Sequence, residues 1–194
     1  MSRALPLRIL GACLLLAAAL VALVIREDRA RAAGREVTLA MEAVDPRDLL
    51  TGHYVALQLV QTQPPGEPCP PDLVPWGKMG WIALSPGPAG DRVTGGGVTR
   101  AAALRHGPVA LRGQVGCTPP STEIVGRPAL VRLDLGVKRF HTDQAEAEAI
   151  DKALSARRPG DPATAFAVIS AGEDGRGRLR GVILNGRRTD LTWF

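Results

Sequence analysis

The sequence predicts an α+β protein: an N-terminal transmembrane helix followed by a mainly antiparallel β domain with one amphipathic helix. Three patterns support this fold class. They are an uncharged apolar run over residues 9–25, segments that alternate with a period of two, and a capped helical segment that begins at Asp143. We therefore divide the chain into an N-terminal tail at 1–8, a transmembrane anchor at 9–25, a charged linker at 26–35 and a β-rich domain at 36–194.

The apolar run, ILGACLLLAAALVALVI, is long enough to cross a bilayer. At about 1.5 Å per residue it spans roughly 26 Å, close to the hydrocarbon core. A cleaved secretory signal is the alternative, since Ala-Arg-Ala stands at 30–32. We favour the anchor because apolar regions of such signals are usually only ~7–15 residues long.

A lipoprotein cleavage box at residues 10–13 does not fit, because most of the apolar run follows Cys13 instead of preceding it. Basic residues flank both ends, so charge does not fix the orientation.

The remaining segments predict antiparallel β structure, because Gly and Pro punctuate short alternating runs at regular intervals. The predicted strands are 37–43, 54–60, 80–84, 93–99, 109–115, 129–137, 165–170, 179–184 and 189–194. Six prolines from Pro64 to Pro75 exclude a central strand there. The amphipathic helix is predicted over 143–158, with Asp143 as N-cap, Glu146 three residues later and Pro159 as the stop.

Composition and motif spacing exclude several function classes. The formal net charge is +5, but residues 26–194 carry 22 basic against 19 acidic residues, and this excess of +3 is too small for a nucleic-acid-binding surface. The aromatic content of 4% argues against a surface that stacks the bases of single strands. The three histidines, at 53, 106 and 141, have no metal-ligand spacing, so we predict neither a metal site nor a cofactor. A basic patch that could bind a polyanion is offered by Arg176, Arg178, Arg180, Arg187 and Arg188. Because Glu173 and Asp174 beside it reduce its positive charge, we interpret it as a solvated face.

A signal-peptidase-like protease also fits poorly. Such an enzyme needs a serine shortly before the Gly-rich strand and a lysine base farther on. This chain has Arg47 and Asp48 in that region, and Lys138 has no nucleophile to activate. We predict no catalytic residues.

Cys69 and Cys117 form an even pair in the predicted soluble part, each in a Pro-rich loop. In an exported domain two such cysteines would pair, and closing the ring of about 49 residues would stabilise the fold by about 4 kcal/mol in the chain-entropy model. Two unrelated thiols are the alternative.

Residues 45–59, DPRDLLTGHYVALQL, resemble the signature of the GDYxxLxY family, although His53 replaces the family's Asp and Leu59 its final Tyr. Residues 135–140, LGVKRF, resemble a second family segment ahead of an acidic helix. The resemblance implies a small extracytoplasmic domain behind one membrane helix, found alone or linked to multi-pass membrane proteins of the DUF2157 type. It implies no particular enzymatic activity.

The signature segment supplies our candidate site. Its members are Asp45, Pro46, Arg47, Asp48, Leu49, Leu50, Gly52, His53, Tyr54 and Leu57. Asp-Pro starts a turn and Gly52 can end one, so a structural corner explains the segment without a ligand; a binding role is the alternative.

From the anchor and the resemblance we predict a non-catalytic protein that crosses the cell (inner) membrane once. The N-terminus would be cytoplasmic and the C-terminal domain extracytoplasmic, or periplasmic. The expected partners are the membrane and a multi-pass membrane protein, not a nucleic acid. The alternative is a cell-envelope ligand-binding or enzymatic domain that uses the corner formed by Asp48 and His53.

Overall fold

The computed structural model describes residues 4–42, 54–56, 58–120, 128–137, 139–141, 149, 152 and 163–191. The helices whose bounds lie within this part are α1 (Ala4–Ala33) and α2 (Arg100–Ala103). The strands are β1 (Arg35–Glu42), β2 (Tyr54–Ala56), β3 (Gln58–Thr62), β4 (Gly80–Ser85), β5 (Arg92–Gly97), β6 (Val109–Thr118), β7 (Leu130–Asp134), β8 (Arg139–His141), β9 (Ala165–Ala171), β10 (Gly177–Leu184) and β11 (Arg187–Asp190).

Helix α1 is long and apolar enough to cross a membrane. The candidate span is Arg8–Ala33, with a mean hydropathy of 2.6 and no burial of its most apolar stretch by the rest of the chain. Leu15 is 70% exposed and Leu20 is 64% exposed, so the described part of the domain does not cover them. Such a helix fits a membrane anchor or a signal sequence. The charged segment at 26–35, predicted as a linker, is helical up to Ala33.

Nine strands form one sheet in the order β11-β10-β9-β1-β3-β7-β6-β4-β5, and β2 pairs with β8 in a small second sheet. Every strand pair in these two sheets is antiparallel, as the sequence predicts. Strand β1 alternates as expected, because Val37, Leu39 and Met41 are buried and their neighbours are less so. These side chains share one core with residues of β4, β6, β7 and β9.

The sheet curls, so that strands far apart in its order come together. The turn between β9 and β10 reaches β6, where the Arg112 backbone N–H donates to the Gly175 carbonyl oxygen at 2.7 Å. Gly175 has a φ of +80°, and a Cβ there would lie 2.5 Å from the Trp81 ring of β4. Only glycine adopts this backbone readily and leaves room for the indole. The turn therefore joins the two halves of the sheet.

The predicted strands at 54–60 and 93–99 differ from the observed elements. The predicted strand 54–60 is split between the two sheets, so it does not present one continuous face. The predicted strand 93–99 ends at Gly97, because Thr99 instead caps α2: its hydroxyl accepts a hydrogen bond from the Ala102 N–H. Most of the predicted amphipathic helix lies outside the described residues, although Ala149 and Lys152 within it are helical.

Candidate functional site at the junction of helix and domain

The C-terminal turns of α1 are fastened to the domain by three charged side chains, Glu27, Asp174 and Arg178, which we call the junction cluster. Glu27 lies on α1 two residues after the apolar run, Asp174 in the turn after β9, and Arg178 on β10. Arg178 is separated from Glu27 by 151 positions in the chain. The cluster therefore connects the apolar helix directly to the folded sheet.

The geometry of the cluster is that of a doubly paired guanidinium. Arg178 donates from Nε and Nη2 to the Glu27 carboxylate at 2.5 and 3.4 Å, and from Nη1 and Nη2 to the Asp174 carboxylate at 3.1 and 2.9 Å. The arginine side chain is only 8% exposed, whereas both carboxylates are about half exposed. A guanidinium removed from water in this way needs its counter-charges.

The electrostatics follow from this pairing. The hydrogen bonds from Arg178 lower the pKa of Asp174 from 3.8 to about 2, and the Arg176 backbone N–H contributes to the same shift. The two carboxylates, Asp174 first, raise the pKa of Arg178 above its usual value. All members of the cluster are therefore charged at neutral pH.

The corner between α1 and β1 is packed closely against β9. A Cβ on Gly34 would collide with the Ser170 hydroxyl and lie 3.0 Å from the Ala171 carbonyl oxygen. Ser170 is fully buried, and its hydroxyl has no hydrogen-bond partner among the described residues. The space between Gly34 and β9 therefore leaves no room for a side chain at this position.

A second charged network lies nearby on β1, β10 and β11. Arg188 donates to Glu36 at 2.7 and 3.0 Å and to Asp190 at 2.8 Å, and Arg180 is 3.4 Å from Glu36. Arg188 remains 35% exposed, unlike Arg178. Three of the five arginines of the predicted polyanion patch are thus paired with carboxylates. The prediction of a solvated face is wrong for Arg178, which is only 8% exposed.

Most of the site predicted from the signature lies outside the described residues. This holds for Asp45, Pro46, Arg47, Asp48, Leu49, Leu50, Gly52, His53 and Leu57. Their structural and binding roles stay predictions. Tyr54 is described at backbone level, in β2, where it pairs with His141 of β8. Because β8 begins within the second segment of family resemblance, the fold brings the two segments side by side.

The predicted disulfide is present. Cys69 and Cys117 are bonded, with their Cα atoms 5.9 Å apart and a separation of 48 positions in sequence. The bond ties the Pro-rich loop between β3 and β4 to the end of β6. Cys13, on α1, is the free cysteine.

The junction cluster was not predicted from the sequence. Arg178 and Asp174 stand four positions apart, which suggests local pairing, but nothing in the sequence links either residue to Glu27. Among the described ranges no group of three or more His, Cys, Asp or Glu is placed to hold a metal ion. His106 instead lies 2.9 Å from the Asp72 carboxylate.

In a comparison with protein families, the model of a family described as GDYXXLXY protein matches residues 16–182. Comparisons with curated proteins and with solved structures gave no match. The matched range includes most of the apolar helix, all three residues of the junction cluster and both bonded cysteines.

Proposed function

The chain belongs to the GDYXXLXY protein family, and on this basis we propose that it is a single-pass membrane protein that acts without catalysis as an accessory component of a membrane assembly. Its partner would be a multi-pass membrane protein of the DUF2157 type. Helix α1 would stay uncleaved in the cell (inner) membrane, with the N-terminus in the cytoplasm and the β-rich domain on the periplasmic side.

The observation that carries this proposal is the junction cluster. An anchor that only tethers a domain needs no more than a flexible linker, through which the helix and the domain can reorient independently of each other. Here the helix continues past its apolar part, and Glu27 is bound to Arg178 of the sheet. Any partner that fixes α1 in the bilayer would therefore also fix the orientation of the domain.

The disulfide supports the extracytoplasmic placement. Structural disulfides persist in oxidising compartments and are rare in the reducing cytoplasm. Cys69 and Cys117 lie on the described domain, beyond the apolar helix. A domain that keeps this bond belongs on the oxidising side of the membrane.

In-cell photo-crosslinking tests the partner. A photoreactive residue replaces Leu15 in one strain and Leu20 in another, because both side chains are exposed and they lie on different faces of α1. We expect one face to crosslink to a multi-pass protein of the DUF2157 type at native abundance. Crosslinking to lipid alone at both positions would contradict the proposal.

Two further measurements test the topology. A reporter fused after Phe194 should be active only if it is exported, and activity confined to the cytosol would refute the periplasmic placement. The mass of the mature N-terminus distinguishes an anchor from a signal, since a chain that starts near Ala33 would show that the helix is removed.

A further inference from the structure

A cavity of about 440 Å³ opens beside Arg92, and its lining residues lie between positions 63 and 94. Its walls are largely apolar and stiff, because five prolines line it: Pro68, Pro70, Pro71, Pro86 and Pro88. The polar groups that line it include Arg92 and the hydroxyls of Ser85 and Thr94. Apolar walls with a few fixed polar groups are typical of small-ligand sites, and this volume is within their usual range.

Arg92 is held in place by buried scaffolding. The Gln61 side chain, 6% exposed, accepts a hydrogen bond from the Val93 N–H at 2.9 Å and donates to the Asp91 carbonyl oxygen at 2.8 Å. The side-chain amide of Gln61 thus holds the backbone in place on both sides of Arg92. Asp91 is fixed to Thr38 of β1 by two more hydrogen bonds, each 2.7 Å long. The guanidinium is therefore presented from a rigid base.

The guanidinium keeps donors for a ligand. Its Nη2 donates to the Gln63 side-chain oxygen and to the Glu67 carboxylate, both at 2.7 Å. The Nε and Nη1 groups have no partner among the described residues, and the side chain is 34% exposed. Gln63 is buried and the orientation of its amide is set by Arg92, since only its oxygen can accept from a guanidinium.

Glu67 shows which ligand chemistry fits. It lies on the Pro-rich loop, in a turn closed by its own N–H and the Pro64 carbonyl oxygen at 3.1 Å, and it is half exposed. The loop is tethered by the Cys69–Cys117 bond. A half-exposed ion pair of this kind is weak and exchanges readily. An incoming carboxylate can replace Glu67 without changing the net charge at Arg92.

We propose that this cavity binds a carboxylate carried on a short apolar body, with Arg92 as its charge partner and Glu67 as the internal carboxylate that it displaces. Bidentate pairing of guanidinium with carboxylate supplies the orientation, and the prolines contact the apolar body. The same chemistry is offered by a free short-chain carboxylate and by the carboxyl terminus of a peptide. The proposal is independent of the membrane partner proposed above.

The two side chains of the pair give opposite predictions. Glu67→Gln frees Arg92 and should tighten binding about two- to fivefold, in keeping with the small strength of an exposed ion pair. Arg92→Gln should weaken binding at least tenfold. If the pair served only to hold the loop, both substitutions would act on stability and neither would change binding. Glu173→Gln, at an exposed carboxylate away from the cavity, is the matched control and should leave binding unchanged.

Ligand-observed NMR titration of the full chain in lipid nanodiscs measures the affinity of each variant for the ligand. The Arg92→Gln variant gives the baseline signal from ligand that partitions into the lipid. The probes are pentanoate, pentanamide, and the peptide acetyl-Pro-Ala-Leu with a free or an amidated C-terminus. Stronger binding of pentanoate identifies a small ligand, and stronger binding of the free-acid peptide identifies a partner's C-terminus. Equal binding of acids and amides, or no binding of either acid to wild type and Glu67→Gln at millimolar concentration, would overturn the proposal.

Discussion

Neutralising both carboxylates of the junction cluster should destabilise the domain by more than the sum of the single changes. In Glu27→Gln or Asp174→Asn, Arg178 keeps one carboxylate and a neutral acceptor. Each single change should cost about 1 kcal/mol, because the partners are half exposed. In the double variant a guanidinium that is only 8% exposed has no counter-charge. An uncompensated buried charge costs about 3–5 kcal/mol, so the coupling should be about 1–3 kcal/mol.

Urea denaturation of the full chain in lipid nanodiscs measures this coupling, with tryptophan fluorescence as the signal. Trp81 is a suitable reporter because it lies under the turn that carries Asp174. The second charged network supplies the control: Glu36→Gln with Asp190→Asn also removes both carboxylates that bind one arginine. Arg188 is 35% exposed and stays hydrated, so this pair should be additive within about 0.5 kcal/mol.

Two results would refute the reasoning. If the double variant of the junction cluster is additive, Arg178 does not depend on its counter-charges, and burial of the guanidinium is not what stabilises the junction. If the control pair shows the same coupling, the effect comes from surface charge in general rather than from the exclusion of water around Arg178.

Three other predictions follow from described contacts. The pKa of Asp174 is about 2 in the folded protein, below its ordinary value of 3.8. The ionised carboxylate therefore adds to the free energy of unfolding above about pH 4, and this contribution is lost as the pH falls towards 2. Because the side chain is half exposed, the contribution is at most about 1 kcal/mol. Asp174→Asn should lack this loss in urea denaturation from pH 5 to 3, and an unchanged pH dependence would contradict the assignment. Replacing Cys69 and Cys117 with serine should lower the free energy of unfolding by up to about 4 kcal/mol, and equal stability of the variant and the oxidised wild type would show that the bond constrains little. Ser170→Ala should be neutral or stabilise by about 1 kcal/mol in thermal unfolding, since it removes a buried hydroxyl without a partner; a marked loss of stability would mean that the hydroxyl has a partner.

Elements with a strong local pattern were predicted well. The apolar run became α1, the alternation at Val37–Met41 became β1, and the Pro-rich segment from Pro64 to Pro75 contains no strand. Elements that depend on competition between local signals were predicted less well. The threonine at 99 extends a β-type run but also precedes three alanines, and its capping hydrogen bond ended the strand two residues earlier.

The candidate site shows the same division between local and long-range information. The signature segment was found because its residues are consecutive, and the pairing of Cys69 with Cys117 followed from two cysteines in a domain predicted to be exported. The junction cluster was missed because its three charges come from distant parts of the chain, and each one alone resembles an ordinary surface charge. Arg92 was missed for a similar reason, since Gln61 and Asp91 give no sign in the sequence that they hold it.

The sequence by itself determined the apolar helix, the antiparallel β domain behind it and the family, because each depends on residues that are neighbours in the chain and express a periodicity or a motif. Only the tertiary structure decided how the helix meets the domain and how far each arginine is buried. The burial of Arg178 and the partial exposure of Arg92 depend on how the sheet curls, and that curvature results from the packing of strands that lie far apart in sequence.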